Sequence, residues 1–172
     1  MKIFLTGEKR IGKSTVINEC LRILGIRNPF VSVGGFKTVV DGNDIIMHSV
    51  NVSPEISGLV GRRYESGFPD AFNSTGCEIL EQTQGRDILI MDELGWMEEK
   101  ADQFNEAVIS AITSNSNILG VLRKNCETEL NKNIAQMSDV TVIEVNLDNR
   151  DNLPMLLAEL FIGSLTKCDI TI

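Results

Sequence analysis

The chain has 172 residues, with 42% apolar and 23% charged side chains, 14 Gly and 4 Pro. This composition suits one globular domain with a real core and excludes a disordered tail or a collagen-like repeat. Sixteen Lys and Arg against 24 Asp and Glu leave a net charge of −8, with the bases scattered, which argues against a nucleic acid as the main ligand.

No apolar run approaches the roughly 18 residues of a membrane span, so no membrane association is expected. Met1-Lys-Ile-Phe-Leu before Thr6-Gly7 carries too short an apolar stretch for a signal-peptide core of about 7–15 residues, and a soluble, cytoplasmic protein is the expectation. The cysteines, Cys20, Cys77, Cys126 and Cys168, include no C-x-x-C pair, and His48 is the only histidine. Reduced thiols are therefore expected rather than a zinc site or a Cys-His nucleophile.

Apolar runs alternate with helical periods along the whole chain, which predicts an α/β domain with a mostly parallel sheet flanked by helices. Lys2 to Thr6 reads as a buried strand, Gly7 to Gly12 as a loop, and Lys13 to Leu24 as a helix closed by Gly25. A second strand is expected over Phe30 to Val33. Phe36 to Val40 and Asp44 to Val50 flank Asp41-Gly42-Asn43, the signature of a small inserted β-hairpin. Residues 51 to 73 show no period and read as irregular. Thr75-Gly-Cys-Glu78 matches a capping box that opens a helix ending at Gly85. Asp87 to Asp92 is an apolar run closed by a carboxylate. In the helix Asp102 to Ser114, Phe104, Ala107, Val108, Ala111 and Ile112 share one face. Asn117 to Arg123 and Val140 to Val145 read as strands, Glu127 to Gln136 as a helix, and Pro154 as the first turn of another that Met155 to Leu165 continues. No linker or repeat divides residues 1–172, so a single domain is expected.

Gly7-Glu8-Lys9-Arg10-Ile11-Gly12-Lys13-Ser14 is G-x-x-x-x-G-K-[ST] in full, placed after a strand and before a helix. In that setting backbone N–H groups turn toward phosphate oxygens, and the helix start adds its positive end. These residues and Thr15 are the expected nucleotide-binding loop. Lys13 is expected to reach the β and γ phosphates and Ser14 to ligate Mg²⁺. Asp92, ending a buried run, is the second candidate metal ligand. Glu93 beside it can orient and polarise a water as general base, so Glu93 and Lys13 are the catalytic candidates.

Further along, Gly34-Gly35-Phe36-Lys37-Thr38, Val60-Gly61-Arg62-Arg63-Tyr64, Asp92-Glu93-Leu94-Gly95-Trp96-Met97-Glu98 and Asn149-Arg150-Asp151 follow the loop in this order. With Gly7 to Thr15, they make the chain similar to a small P-loop nucleoside-triphosphatase family found in thermophilic prokaryotes and, as the cancer-related type, in animals. The resemblance spans nearly the whole chain, and Asp92 to Glu98 is its most specific block. It implies slow, Mg²⁺-dependent hydrolysis of several nucleoside triphosphates and a compact domain related to RecA-type or nucleotide-kinase folds. The chain departs from the family pattern at Ile45 to Ser53, which lacks a Gly-Phe-bearing repeat, at Trp96, where a basic residue is usual, and at the doubled Arg62-Arg63. These departures bear on substrate preference rather than on phosphate chemistry.

Arg123 and Lys124 at a strand end are candidates for the phosphate site, with Arg123 as a cis arginine finger. Arg62 and Arg63 on a Gly-flanked segment are a second possibility for closing over phosphates. Asn149 and Arg150, after the last strand, can rest against a base or ribose. Two other functions share these residues. A small nucleotide or metabolite kinase would use residues 51 to 73 as an acceptor lid. A GTP-dependent switch would use Asp92-Glu-Leu-Gly95 and Thr38, but Thr166-Lys-Cys-Asp169 follows a helix and falls too late to form a guanine pocket.

Overall fold

A computed structural model describes residues 1–115 and 117–168. Seven strands form one sheet in the order β4-β3-β2-β5-β6-β1-β7, with β1 at Lys2–Thr6, β2 at Val33–Asp41, β3 at Asp44–Ser49, β4 at Ser57–Arg62, β5 at Ile88–Leu94, β6 at Ile118–Leu122 and β7 at Val140–Glu144. Strands β2, β5, β6, β1 and β7 are parallel, and the antiparallel β3 and β4 extend one edge.

The period of two along the central strands explains why they are buried on both sides. Ile3 and Leu5, Ile88 and Ile90, and Leu119 and Val121 face one layer, built on α1 (Lys13–Arg27) and α6 (Leu153–Cys168). Phe4, Leu89, Met91, Ile118 and Leu122 face the other, which holds α3 (Cys77–Gln82), α4 (Asp102–Ser114) and α5 (Glu129–Gln136). The face expected of α4 is real: Phe104, Val108 and Ile112 are fully buried. Phe104 is the hub of that layer, with Phe36 and Phe72 rings tilted against it at 5.6 and 5.3 Å. Cys20 is buried among α1 contacts, and Cys20, Cys77 and Cys126 are free thiols.

Four expectations need correction. Gly25 does not close α1, which continues to Arg27; Asn28 caps it by donating its N–H to Leu24 O at 2.7 Å, and Pro29 then prevents further helix. Phe30 to Val33 is not a strand. Asn28 to Val31 is a turn, Phe30 is 94% exposed, and pairing begins only where Val33 meets Ile88. Residues 51 to 73 are not wholly irregular, since β4 lies within them. Thr75 to Glu78 is not a helix start: α2 (Pro69–Ala71) runs through a π-helical turn (Phe72–Gly76) into α3, which ends at Gln82. The hairpin forms as expected, with Asp41 opposite Asp44 across Gly42-Asn43.

Gly35 joins the two halves of the sheet. Its φ of 99° is a left-handed conformation, and an added Cβ would lie 2.0 Å from Ile90 O on the neighbouring strand. Gly25 is the opposite case, an exposed helical glycine with open space around a would-be Cβ. Gly35→Ala should therefore lower stability by at least about 2 kcal/mol. Gly25→Ala should raise it by about 0.5–1 kcal/mol. Urea midpoints of the two variants test both signs.

Candidate functional site

The parallel order brings β1, β6 and β5 to a common edge, with β6 between the two strands that carry the loop and the acids. Beyond β1 the chain winds through Gly7–Gly12 into α1. Gly12 occupies the N-cap at φ 114°, no side chain caps the helix, and no acid lies in its first turn. The first-turn N–H groups thus have no protein side chain to serve, which is the condition for holding an anion there.

Lys13 is 9% exposed and closes the loop on itself: its Nζ donates to Gly7 O at 2.9 Å and to Glu8 O at 3.0 Å. The Glu8 carboxylate turns away to Lys124 Nζ at 2.8 Å, and Lys124 also meets Glu144 at 2.7 Å. That pairing holds the Glu8 carboxyl below its ordinary range.

Asp92 is 5% exposed. Burial pushes its carboxyl up and the neighbouring Glu93 charge adds to this, while a hydrogen bond with Ser14 and the Lys37 and Lys13 ammoniums act in the opposite sense. Lys37 stands directly across the ladder from Asp92, donates to Asn18 Oδ1 at 2.5 Å, and is itself pushed down by burial. The Thr38 hydroxyl donates to Asp92 O at 3.2 Å. A buried carboxylate beside a hydroxyl at a phosphate loop is a hard-oxygen donor pair that fits Mg²⁺. Among the described residues no cluster of three or more His, Cys, Asp or Glu gathers to cage a metal alone.

The Asp92–Glu93 peptide is cis, and Glu93 lines a cavity of about 630 Å³ that opens from the loop. Arg123 follows β6, its N–H bonded to Leu94 O at 2.9 Å. Its side chain crosses Gly95, where a Cβ would come within 3.1 Å, and reaches the Trp96 ring at 5.5 Å and Glu93 Oε1 at 4.0 Å. Of the expected loop residues, Gly7, Glu8, Lys9, Arg10, Gly12, Lys13, Ser14 and Thr15 line this cavity, as do Arg123 and Lys124; Ile11 instead packs against the apolar layer of α1. Lys9, Arg10, Lys13, Arg62, Arg63, Arg123 and Lys124 put seven of the sixteen bases around one opening.

Asn149 and Arg150 do not line it. The Asn149 amide is spent on its own loop, donating to Glu144 O at 2.8 Å and accepting from Asn146 N at 3.0 Å, and Arg150 Nε lies 3.5 Å from Asp151. Asp169, which the guanine-pocket match requires, lies outside the described residues.

Lys37 and the buried Glu98 were not singled out by spacing for the roles that the geometry gives them. Lys37 becomes visible only once β2 is paired with β5. Glu98 is 2% exposed, and one carboxylate oxygen accepts the Gly95 N–H, which braces the turn carrying Gly95 and Trp96. Asn105 Nδ2 holds the Glu98 carbonyl at 3.1 Å.

Burial pushes the Glu98 carboxyl up to about 7, with Glu93 adding and the Gly95 N–H and Arg123 opposing. The folded state therefore binds this proton more tightly than the unfolded chain does. The resulting stabilisation is complete below about pH 4.5 and is lost as pH rises through about 7. Glu98→Gln removes this titration. Between about pH 5 and pH 8, wild type should lose roughly 1–3 kcal/mol relative to the variant, measured by urea unfolding.

A family model described as NTPase matches residues 2–158. The nucleoside-triphosphatase THEP1 of Thermotoga maritima is 29% identical over 164 residues, covering 89% of this chain and 91% of that protein. The nucleoside-triphosphatase THEP1 of Methanocaldococcus jannaschii is 32% identical over 140 residues, covering 73% and 79%. The crystal structure of THEP1 from the hyperthermophile Aquifex aeolicus shares the fold at a TM-score of 0.76 and 22% identity, over 94% of this chain and 99% of that one. With a matched span from β1 into α6 that includes the phosphate loop and both acids of β5, the chain belongs to this NTPase family.

Proposed function

We propose that the protein hydrolyses nucleoside triphosphates to diphosphate and phosphate with Mg²⁺, and with little discrimination between bases. The observation that carries this reading is the pair at the end of β5: a buried Asp92 hydrogen-bonded with Ser14, and next to it a Glu93 that faces the cavity. The names of the THEP1 relatives support it.

Each residue has a separate task. The loop N–H groups and the Lys13 ammonium receive the β and γ phosphates, exchanging the two carbonyls Lys13 now holds for phosphate oxygens. Ser14 and Asp92 would hold Mg²⁺, which supplies positive charge to the phosphate oxygens when bound. The burial that raises Asp92 makes its ionised form depend on a nearby cation. Glu93 orients a water at the γ phosphate and accepts its proton, and Arg123 lies close enough to offset charge developing on the transferred group. Thr38 is occupied by the Asp92 carbonyl, an arrangement that suits a fixed sheet position better than a mobile switch threonine.

Lys13→Ala should weaken nucleotide affinity by roughly 10–150-fold, the worth of a charge-assisted hydrogen bond, without unfolding the protein. Calorimetric titration beside thermal melting separates the two effects.

Glu93→Gln should retain nucleotide and Mg²⁺ affinity while turnover falls by roughly 10²–10⁴-fold. Asp92→Asn should instead shift the Mg²⁺ requirement. Normal turnover in Glu93→Gln, read as released phosphate, would move water activation elsewhere.

Strong base discrimination needs buried polar groups that go unpaired with the wrong base. Since the Asn149 amide is engaged within its loop, ATP and GTP should differ in kcat/KM by about 5- to 150-fold at most. A preference above about a thousandfold for GTP in steady-state kinetics contradicts this.

A further inference from the structure

The cavity of about 630 Å³ is lined by more than the phosphate loop. Besides the loop and Glu93, its lining includes Trp96, Arg63 and Tyr64, together with Val40 and Ile45, a cross-strand pair two residues past Thr38 on β2 that marks the far half of the cavity. If Glu93 faces the γ phosphate, as the proposed function holds, the nucleoside is attached at the opposite end of the phosphate chain. The substrate's own base and ribose then leave the loop away from Glu93, and the lining of the far half is left for another group.

Its walls describe that group. Tyr64 is 92% exposed, in a left-handed backbone conformation at φ 64°, and its ring has only the Arg63 guanidinium over it at 5.9 Å. Arg63 has no carboxylate partner among the described residues, in a protein of net charge −8. Arg62 is tethered to Asp44 through Nε at 3.1 Å, leaving its other N–H groups available. Val40, 51% exposed, and the half-buried Ile45 supply an apolar floor. An unpaired cation, an open aromatic face and an apolar floor together suit a planar ring carrying a phosphate dianion.

We propose that the far half of the cavity is a subsite for a nucleoside monophosphate, separate from the triphosphate site and facing its γ end. Trp96, the single tryptophan, lines it and reports on its occupancy.

The test uses the full chain saturated with ADP and Mg²⁺, so that the phosphate loop is filled, followed by titration with AMP. A saturable change in Trp96 fluorescence, confirmed by calorimetry, is expected. Adenosine and inorganic phosphate alone should each bind at least about tenfold more weakly than AMP, because each offers half of the contacts. Arg63→Ala and Tyr64→Ala should each weaken AMP by about tenfold or more while ADP·Mg²⁺ affinity stays within about twofold. No saturable AMP signal up to about 10 mM, or AMP release as ADP is raised, overturns the proposal. So does loss of ADP affinity in the two variants, which would make the segment a cover for the triphosphate. Failure of ADP·Mg²⁺ itself to bind sinks the reading of the phosphate loop instead, so the two failures are distinguishable.

Discussion

Backbone pairing of β1 and β5 to their shared neighbour β6 fixes the distance between the phosphate loop and the acids. Parallel strands end at the same edge, so Thr6, Leu94 and Leu122 deliver their following residues to one place. The Arg123 N–H to Leu94 O bond carries this ladder past the end of β6 and sets the origin of the arginine. Neither the loop nor the acid pair would have a function if the strands slipped by one residue, because each side chain would then change face. The two apolar layers make such a slip prohibitive, since Ile90 and Leu89 would exchange environments filled by different helices.

Within that frame, the site combines acids of opposite character. Asp92 and Glu98 are withdrawn from water and pushed up, whereas Glu93 remains in contact with the cavity. The half-buried Glu93 borders the open cavity, buried Asp92 is suited to a cation, and Glu98 is committed to the Gly95 N–H. Three carboxylates within seven residues thus sit in three different environments, set by burial and by their hydrogen-bond partners.

The parts of the fold with local signals were legible in the sequence. The loop motif, the hairpin turn at Gly42-Asn43, the central strands and the Phe104 face of α4 are all patterns of a few neighbouring residues. β4 was not legible because its glycines serve contacts rather than strand propensity: Gly58 faces Thr75 and Gly61 faces Met97, each closer than a Cβ would permit. The helical start near Pro69 was hidden for a similar reason. Asn73, in the π-helical turn, accepts the N–H of Phe104 at 3.0 Å and serves α4, a helix 31 residues away that lacks a side-chain cap at Ala101. Lys37 and the Arg123–Trp96 stack likewise exist only after distant segments meet. The loop, Asp92 and Glu93 were legible as motifs together with the tasks expected of them, whereas the position of Glu98 against the Gly95 N–H emerges only from the fold.

The seven bases around the cavity sit on a protein with eight more negative than positive charges. An approaching polyanion therefore experiences repulsion from the molecule as a whole and attraction from its mouth. The two fields have different ranges. At physiological ionic strength, where the Debye length is about 8 Å, the distant repulsion is largely screened while the short-range attraction persists. Moderate salt should then assist nucleotide capture before higher salt weakens it, giving an association rate that passes through a maximum. A uniformly basic nucleotide-binding protein would show only the decline.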